Sequence, residues 1–159
     1  MQESQLGRSS SAEQSTQGAL LMGAWDGSVF GNDDAADFSF EFDGANTVAR
    51  VAPIIENALD TVLESTPDLE APDGAIGLAA AALVIAWTEP EMLGSDAAYA
   101  PEPWPRTADP LPGYLKTKAA AVLDRMKDAA GNELAQLWAE SGQTSEFTAE
   151  IDRWRSRLS

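Results

Sequence analysis

"PDGAIGLAAAALVIAW" runs from Pro72 to Trp87 and carries no charged or hydrogen-bonding side chain between Asp73 and the terminal tryptophan. A helix that is apolar on every side has no face to turn toward water, so other elements must surround it. Its alanines let those neighbours approach closely. The longest apolar run, Ala75 to Trp87, is too short to span a bilayer, which takes about 20 residues. The stretch is therefore read as the central core helix, and the rest of the chain as its packing partners.

Those partners carry helical spacing. Val48, Val51, Ile55, Leu59 and Val62 recur at steps of three and four, which predicts an amphipathic helix ending near Thr66-Pro67. Pro53 lies inside the pattern and either opens the main helix at its first turn or kinks a longer one. Upstream, "DFSFEF" alternates as a strand would, yet Ala35, Phe38 and Phe42 also share one helical face. No partner strand is visible elsewhere, which favours a short helix capped by Asn32 or Asp33. Between Thr88 and Pro112 six prolines argue against regular structure and for a long loop, pinned by Tyr99 and Trp104. Three helices close the chain. Leu115, Ala119, Val122, Met126 and Ala129 stripe the first, which is expected to stop at Gly131. Leu134, Leu137 and Trp138 face one way on the second, between an Asn32-like cap at Asn132 and Gly142. Phe147, Ile151, Trp154 and Leu158 stripe the third, with Arg153, Arg155 and Arg157 suited to its negative end. The fold class is all-α, a compact bundle of about five or six helices with a buried Ala-rich central helix and a long Pro-rich loop. No internal repeat is present.

The chain has 159 residues, the length of one domain, with no cysteine and no histidine. Disulfides, thiolate nucleophiles, histidine bases and most zinc sites are thereby excluded. The formal net charge is -16, and its distribution is lopsided. Sixteen acids face one base, Arg50, between Asp26 and Glu102, whereas Arg106 to Ser159 holds eight of each. Such a surface repels phosphate backbones, so direct nucleic-acid binding is not expected. Residues 1–21 read as a polar N-terminal extension and 22–159 as a single α-helical domain. The first segment lacks a basic leader and an apolar run of signal-peptide length, and a soluble cytoplasmic protein without membrane association is expected. The extension is a candidate for self-association. Gly23, Gly27 and Gly31 punctuate a loop that Trp25, Val29 and Phe30 are expected to anchor.

Three blocks together carry a family resemblance: "MGAWDGSVFGNDDAADF" from Met22, "DLEAPDGAIGLAAAALVIA", and "NELAQLWAES" followed by a helix with Phe147 and Trp154. The chain resembles the bacterial domain-of-unknown-function family 4259 over about Met22 to Leu158. The resemblance implies that Met22 matches the family's usual first residue. It also implies that Trp25, Asp34, Asp37, Leu137 and Trp138 belong to the structural motif. Against the family pattern, Asp26 and Ser28 replace glycines, Phe38 and Phe147 replace tryptophans, and Ala82 stands where a glutamate is common. The resemblance implies a fold and no activity.

The candidate sites are few. Asp33, Asp34, Asp37 and Glu41 form the dense carboxylate cluster, an oxygen donor set that suits calcium or magnesium. Acids at a helix start are also ordinary caps, and the spacing of a calcium-binding loop is absent. A hydrolytic pair would need Asp33 or Asp37 to meet Glu70 or Glu140 across a cleft. Trp104, flanked by prolines, is the candidate exposed anchor for a partner. The expected function is a non-enzymatic acidic module that meets a basic protein partner, toxin-neutralising (immunity-like) or regulatory. The alternative is a small-molecule or divalent-cation-dependent carboxylate enzyme built on Asp33 to Asp37.

Overall fold

Helix α1 (Asp33–Ser39) starts where Asn32 takes an extended conformation and its side-chain oxygen accepts the Ala35 N–H at 2.9 Å. In the computed structural model, residues 29–65 and 67–158 are described. The N-terminal extension and Trp25 lie outside them. One 3-10 turn, Phe40–Phe42, continues α1. Ala35, Phe38 and Phe42 are buried while Phe40 faces out, so the helical reading of "DFSFEF" holds and the strand reading does not.

Helix α2 (Val48–Glu64) is capped by Thr47, whose hydroxyl accepts the Arg50 N–H at 3.3 Å. Pro53 lies inside this single helix, so the start is set by the threonine cap and not by the proline. Val51, Ile55, Leu59 and Val62 are buried, as their spacing requires. Helix α3 (Ala71–Ala86) is the predicted central rod, and every residue from Gly77 to Ala86 is buried. It packs against α1, α2, helix α4 (Tyr114–Lys127) and helix α5 (Glu133–Glu140). Helix α6 (Thr144–Arg155) closes the bundle against α4 and α5, with Phe147, Ile151 and Trp154 buried. No helix among the described residues is long and apolar enough to cross a membrane.

The rod needs small residues where its neighbours cross. A Cβ at Gly77 would come within 2.2 Å of Val62 Cγ2, so α2 and α3 meet at a distance only glycine permits. The ends of the rod have their own requirement, because a buried helix terminus leaves backbone groups without partners. At the start, the Glu133 carboxylate of α5 accepts the Ala71 N–H at 2.8 Å. At the finish, the Leu83 carbonyl accepts both the Trp87 N–H and, at 3.0 Å, the Trp104 indole N–H.

Two expectations are corrected. Helix α4 ends at Lys127, before Ala129 and Gly131, and Ala129 is exposed. The Asn132 amide explains the early stop, since it donates to the carbonyls of Met126 (2.9 Å) and Asp128 (3.1 Å) while its oxygen caps α5 at Ala135. Gly131 has φ +58°, and an added Cβ would sit 2.0 Å from the Pro67 carbonyl. There the chain after α2 pairs with it through a single parallel bridge, Leu69 to Asn132. The proline-rich segment also holds 3-10 structure at Pro90–Ala98, broken at Gly94. Such turns close with fewer bonds than an α-helix and tolerate its prolines.

Gly77→Ala is expected to cost about 1–2 kcal/mol, an overpacking penalty partly offset by better helix propensity. In a Val62→Ala background the same change is expected to be neutral or stabilising, because the clash partner is gone. Urea melts of the four proteins measure this coupling, and additive effects would contradict the close contact.

Candidate interaction surface

Asp33, Asp34 and Asp37 project from α1 and Glu41 from the turn after it, and all four are exposed. Their environment is one of repulsion. The Asp34 carboxyl is held above the usual carboxylate range, first by partial burial and then by the charges of Asp33, Asp37 and Asp73. Asp73 comes from the first turn of α3, a neighbour that no spacing in the sequence reveals. Among the described residues no three histidine, cysteine, aspartate or glutamate side chains are grouped to hold a metal ion. The calcium or magnesium reading of the cluster therefore has no grouped donor set behind it among the described residues. Glu70 and Glu140 are likewise exposed, and the buried polar side chains among the described residues are Ser39 and Asn132. A buried carboxylate suited to acid–base work is therefore absent from that set. Ala82 is buried in the rod.

Trp104 is corrected as well. It is not an exposed anchor; it is 8% exposed, edge-on to Phe42 at 5.2 Å and to Trp87 at 5.1 Å between ring centres. Its indole N–H is used by Leu83, and the Trp87 indole N–H binds the Asp109 carbonyl at 2.8 Å. The two tryptophans pin the proline-rich segment to the end of α3. Trp104 still lines an open groove of about 540 Å³ with Pro90, Leu93, Pro101, Glu102 and Pro103. Leu137 is half-buried, whereas Trp138 is buried and stacked on Phe147 at 5.6 Å.

The exposed aromatic residues are others. Phe40 is 67% and Tyr99 54% exposed, and sequence spacing pointed only to the first, which lies off the Ala35–Phe38–Phe42 face. Tyr99 does not pin its loop with its ring; its carbonyl accepts the Ser39 hydroxyl at 2.7 Å. Arg106 then staples the same junction from within, donating to the carbonyls of Ala45 (3.1 Å), Glu102 (2.8 Å) and Phe42 (3.0 Å). These bonds join the α1 turn to the proline-rich loop, and Phe40, Tyr99, Asp37, Glu41, Asp43 and Glu102 are exposed on those two segments.

Most bases among the described residues are engaged away from this surface. Lys118 pairs with Glu56 and Asp60 at 2.7 Å each, and the hydrogen bonds it donates to Asp60 and then to Glu56 raise its ammonium above the ordinary lysine range. Lys127, Arg153, Arg155 and Arg157 pair with Asp152, Glu150, Asp124 and Glu89. Arg106 and Arg125 are spent on backbone carbonyls. Asp33, Asp34, Asp37, Glu41 and Asp43 have no ion-pair partner among the described residues. A second, acid-lined groove of about 340 Å³ between Asp68, Glu70 and Glu133 is occupied in part by the Glu133 cap of α3.

Two outcomes follow from this geometry. Trp104→Phe keeps a ring in place but removes one of the two donors on the Leu83 carbonyl, which retains the Trp87 N–H, with an expected cost of about 0.5–1.5 kcal/mol in denaturant melts. Because the Asp34 carboxyl is raised in the folded state, the native protein holds its proton longer than the unfolded chain. Its stabilising contribution is full below the ordinary aspartate range and falls away as pH rises through the native value. Asp34→Asn is expected to remove that slice of the stability–pH curve, and added salt is expected to lower the Asp34 pKa measured by carbon-13 NMR.

A family model described as a domain of unknown function (DUF4259) matches residues 23–150. No curated protein and no solved structure matches the chain. With the match covering most of its length, the chain belongs to the DUF4259 family.

Proposed function

We propose that this protein is a non-enzymatic interaction module whose acidic α1 face meets a basic protein surface, in a toxin-neutralising or regulatory role. One observation supports the reading above others: the acids from Asp33 to Asp43 have no ion-pair partner among the described residues, while every base from Arg106 onward except Lys116 is engaged within the fold. The raised Asp34 carboxyl reports the repulsion that results. A cationic partner relieves that repulsion on binding, which favours association with basic surfaces and penalises acidic ones. Among the described residues no buried carboxylate supports the carboxylate-enzyme alternative.

Immobilised protein exposed to its native host's lysate tests the reading at about 0.01 M and about 1 M salt, where the screening length falls from about 30 Å to about 3 Å. A basic protein is expected to be retained at low salt and released at high salt. The triple variant Asp33→Asn, Asp34→Asn, Asp37→Asn is expected to lose it while keeping its helical circular-dichroism signal. Retention of an acidic protein, or retention indifferent to salt and to the triple variant, would sink the proposal.

A further inference from the structure

We infer that the junction of α1 with the proline-rich loop is a docking platform for an arginine-rich segment of a protein partner, in which Phe40 and Tyr99 receive guanidinium groups and the acids around them supply counter-charge. This rests on the acidic-module reading above and names the partner's chemistry. Phe40 is 67% exposed on an otherwise well-packed turn whose neighbours Phe38 and Phe42 are buried, so packing of the fold does not account for its position. Tyr99 is 54% exposed, and the Ser39–Tyr99 hydrogen bond holds its backbone beside that same turn. Arg106 fixes the relation further, since one guanidinium reaches the carbonyls of both Phe42 and Glu102. The platform is thus preformed by internal bonds and does not depend on a ligand to order it.

Charge selects the occupant. Asp37, Glu41, Asp43 and Glu102 are exposed around the rings, and the chain as a whole has a formal charge of -16. A second copy would bring like charges together, and a nucleic-acid backbone would do the same. A cationic segment gains from the acids, and arginine gains more than lysine. Its planar guanidinium is weakly hydrated, stacks on aromatic faces and accepts bidentate pairing with carboxylates. The fold already contains this arrangement once: Arg153 lies 4.8 Å over the Trp154 ring while pairing with Glu150. At the platform the Arg106 guanidinium is committed to backbone carbonyls, and no cation among the described residues lies over the Phe40 or Tyr99 ring.

Fluorescently labelled oligo-arginine and oligo-lysine peptides of equal length, titrated against the full chain, test the inference. The oligo-arginine peptide is expected to bind about tenfold more tightly than the oligo-lysine peptide, the scale of a desolvated cation–ring contact. Phe40→Ala and Tyr99→Ala are each expected to weaken oligo-arginine binding about fivefold and to leave oligo-lysine binding nearly unchanged. Tyr114→Ala, at a ring 50% exposed on α4, serves as the control and is expected to change neither. Phe40→Leu, which keeps an apolar side chain but removes the ring, is expected to behave as Phe40→Ala and guards against a folding defect. Equal binding of both peptides with no effect of the ring variants would overturn the platform and leave the acidic module standing. No binding of either peptide at low salt would overturn both. Concentration-dependent self-association abolished by Phe40→Ala, or duplex DNA bound through the same rings, would assign the surface to a different occupant and overturn the inference.

Discussion

A helix buried on every side imposes its needs on everything around it. Helix α3 has no polar side chain beyond its first turn, so its flanks must be met by apolar faces and its two backbone ends by donors and acceptors from elsewhere. Each of those needs is answered by a specific residue. Gly77 gives Val62 room, Glu133 caps the start, and Trp104 satisfies a carbonyl near the finish. The long proline-rich segment is therefore an integral part of the core: its tryptophan closes the rod, and its other residues are carried along with that contact.

This arrangement also determines where charge accumulates. Apart from Lys116, the bases from Arg106 onward are committed to ion pairs, such as those between α4 and α6, or to backbone carbonyls. Little cationic charge is left for the α1 face, and Asp73 at the start of α3 adds to its negative potential. An acidic composition alone keeps a chain soluble and self-repelling. The α1 segment adds to this two features of its own, unpaired acids from Asp33 to Asp43 and the exposed Phe40 ring. The same residues that close the core, Ser39 and Arg106, hold that surface in shape.

The burial of Trp104 shows how a sequence signal is inverted by its context. A tryptophan between prolines looks like an exposed hook, because prolines keep a segment out of helices and sheets. Leaving regular structure is not the same as leaving the core, however. A loop that must lie over an apolar rod uses its largest apolar residue to do so, and the indole N–H finds an acceptor at the helix end. The acids of α1 teach a related lesson. Their density in the sequence resembles a donor set for a hard cation, yet density along a helix differs from convergence in space.

Read alone, the chain determined the class of fold and most of its elements. The periodic stripes of α2, α4 and α6, the caps at Asn32 and Asn132, and the all-apolar rod are local patterns, and local patterns are set by helix geometry and side-chain solubility. Tertiary structure decided the rest: that α4 yields its end to Asn132, that Trp104 turns inward, that Asp73 joins Asp34, and that the Tyr99 carbonyl meets Ser39. These are relations between residues far apart along the chain. They depend on how helices settle around one another, and no spacing along a single strand of sequence encodes a distance across the bundle.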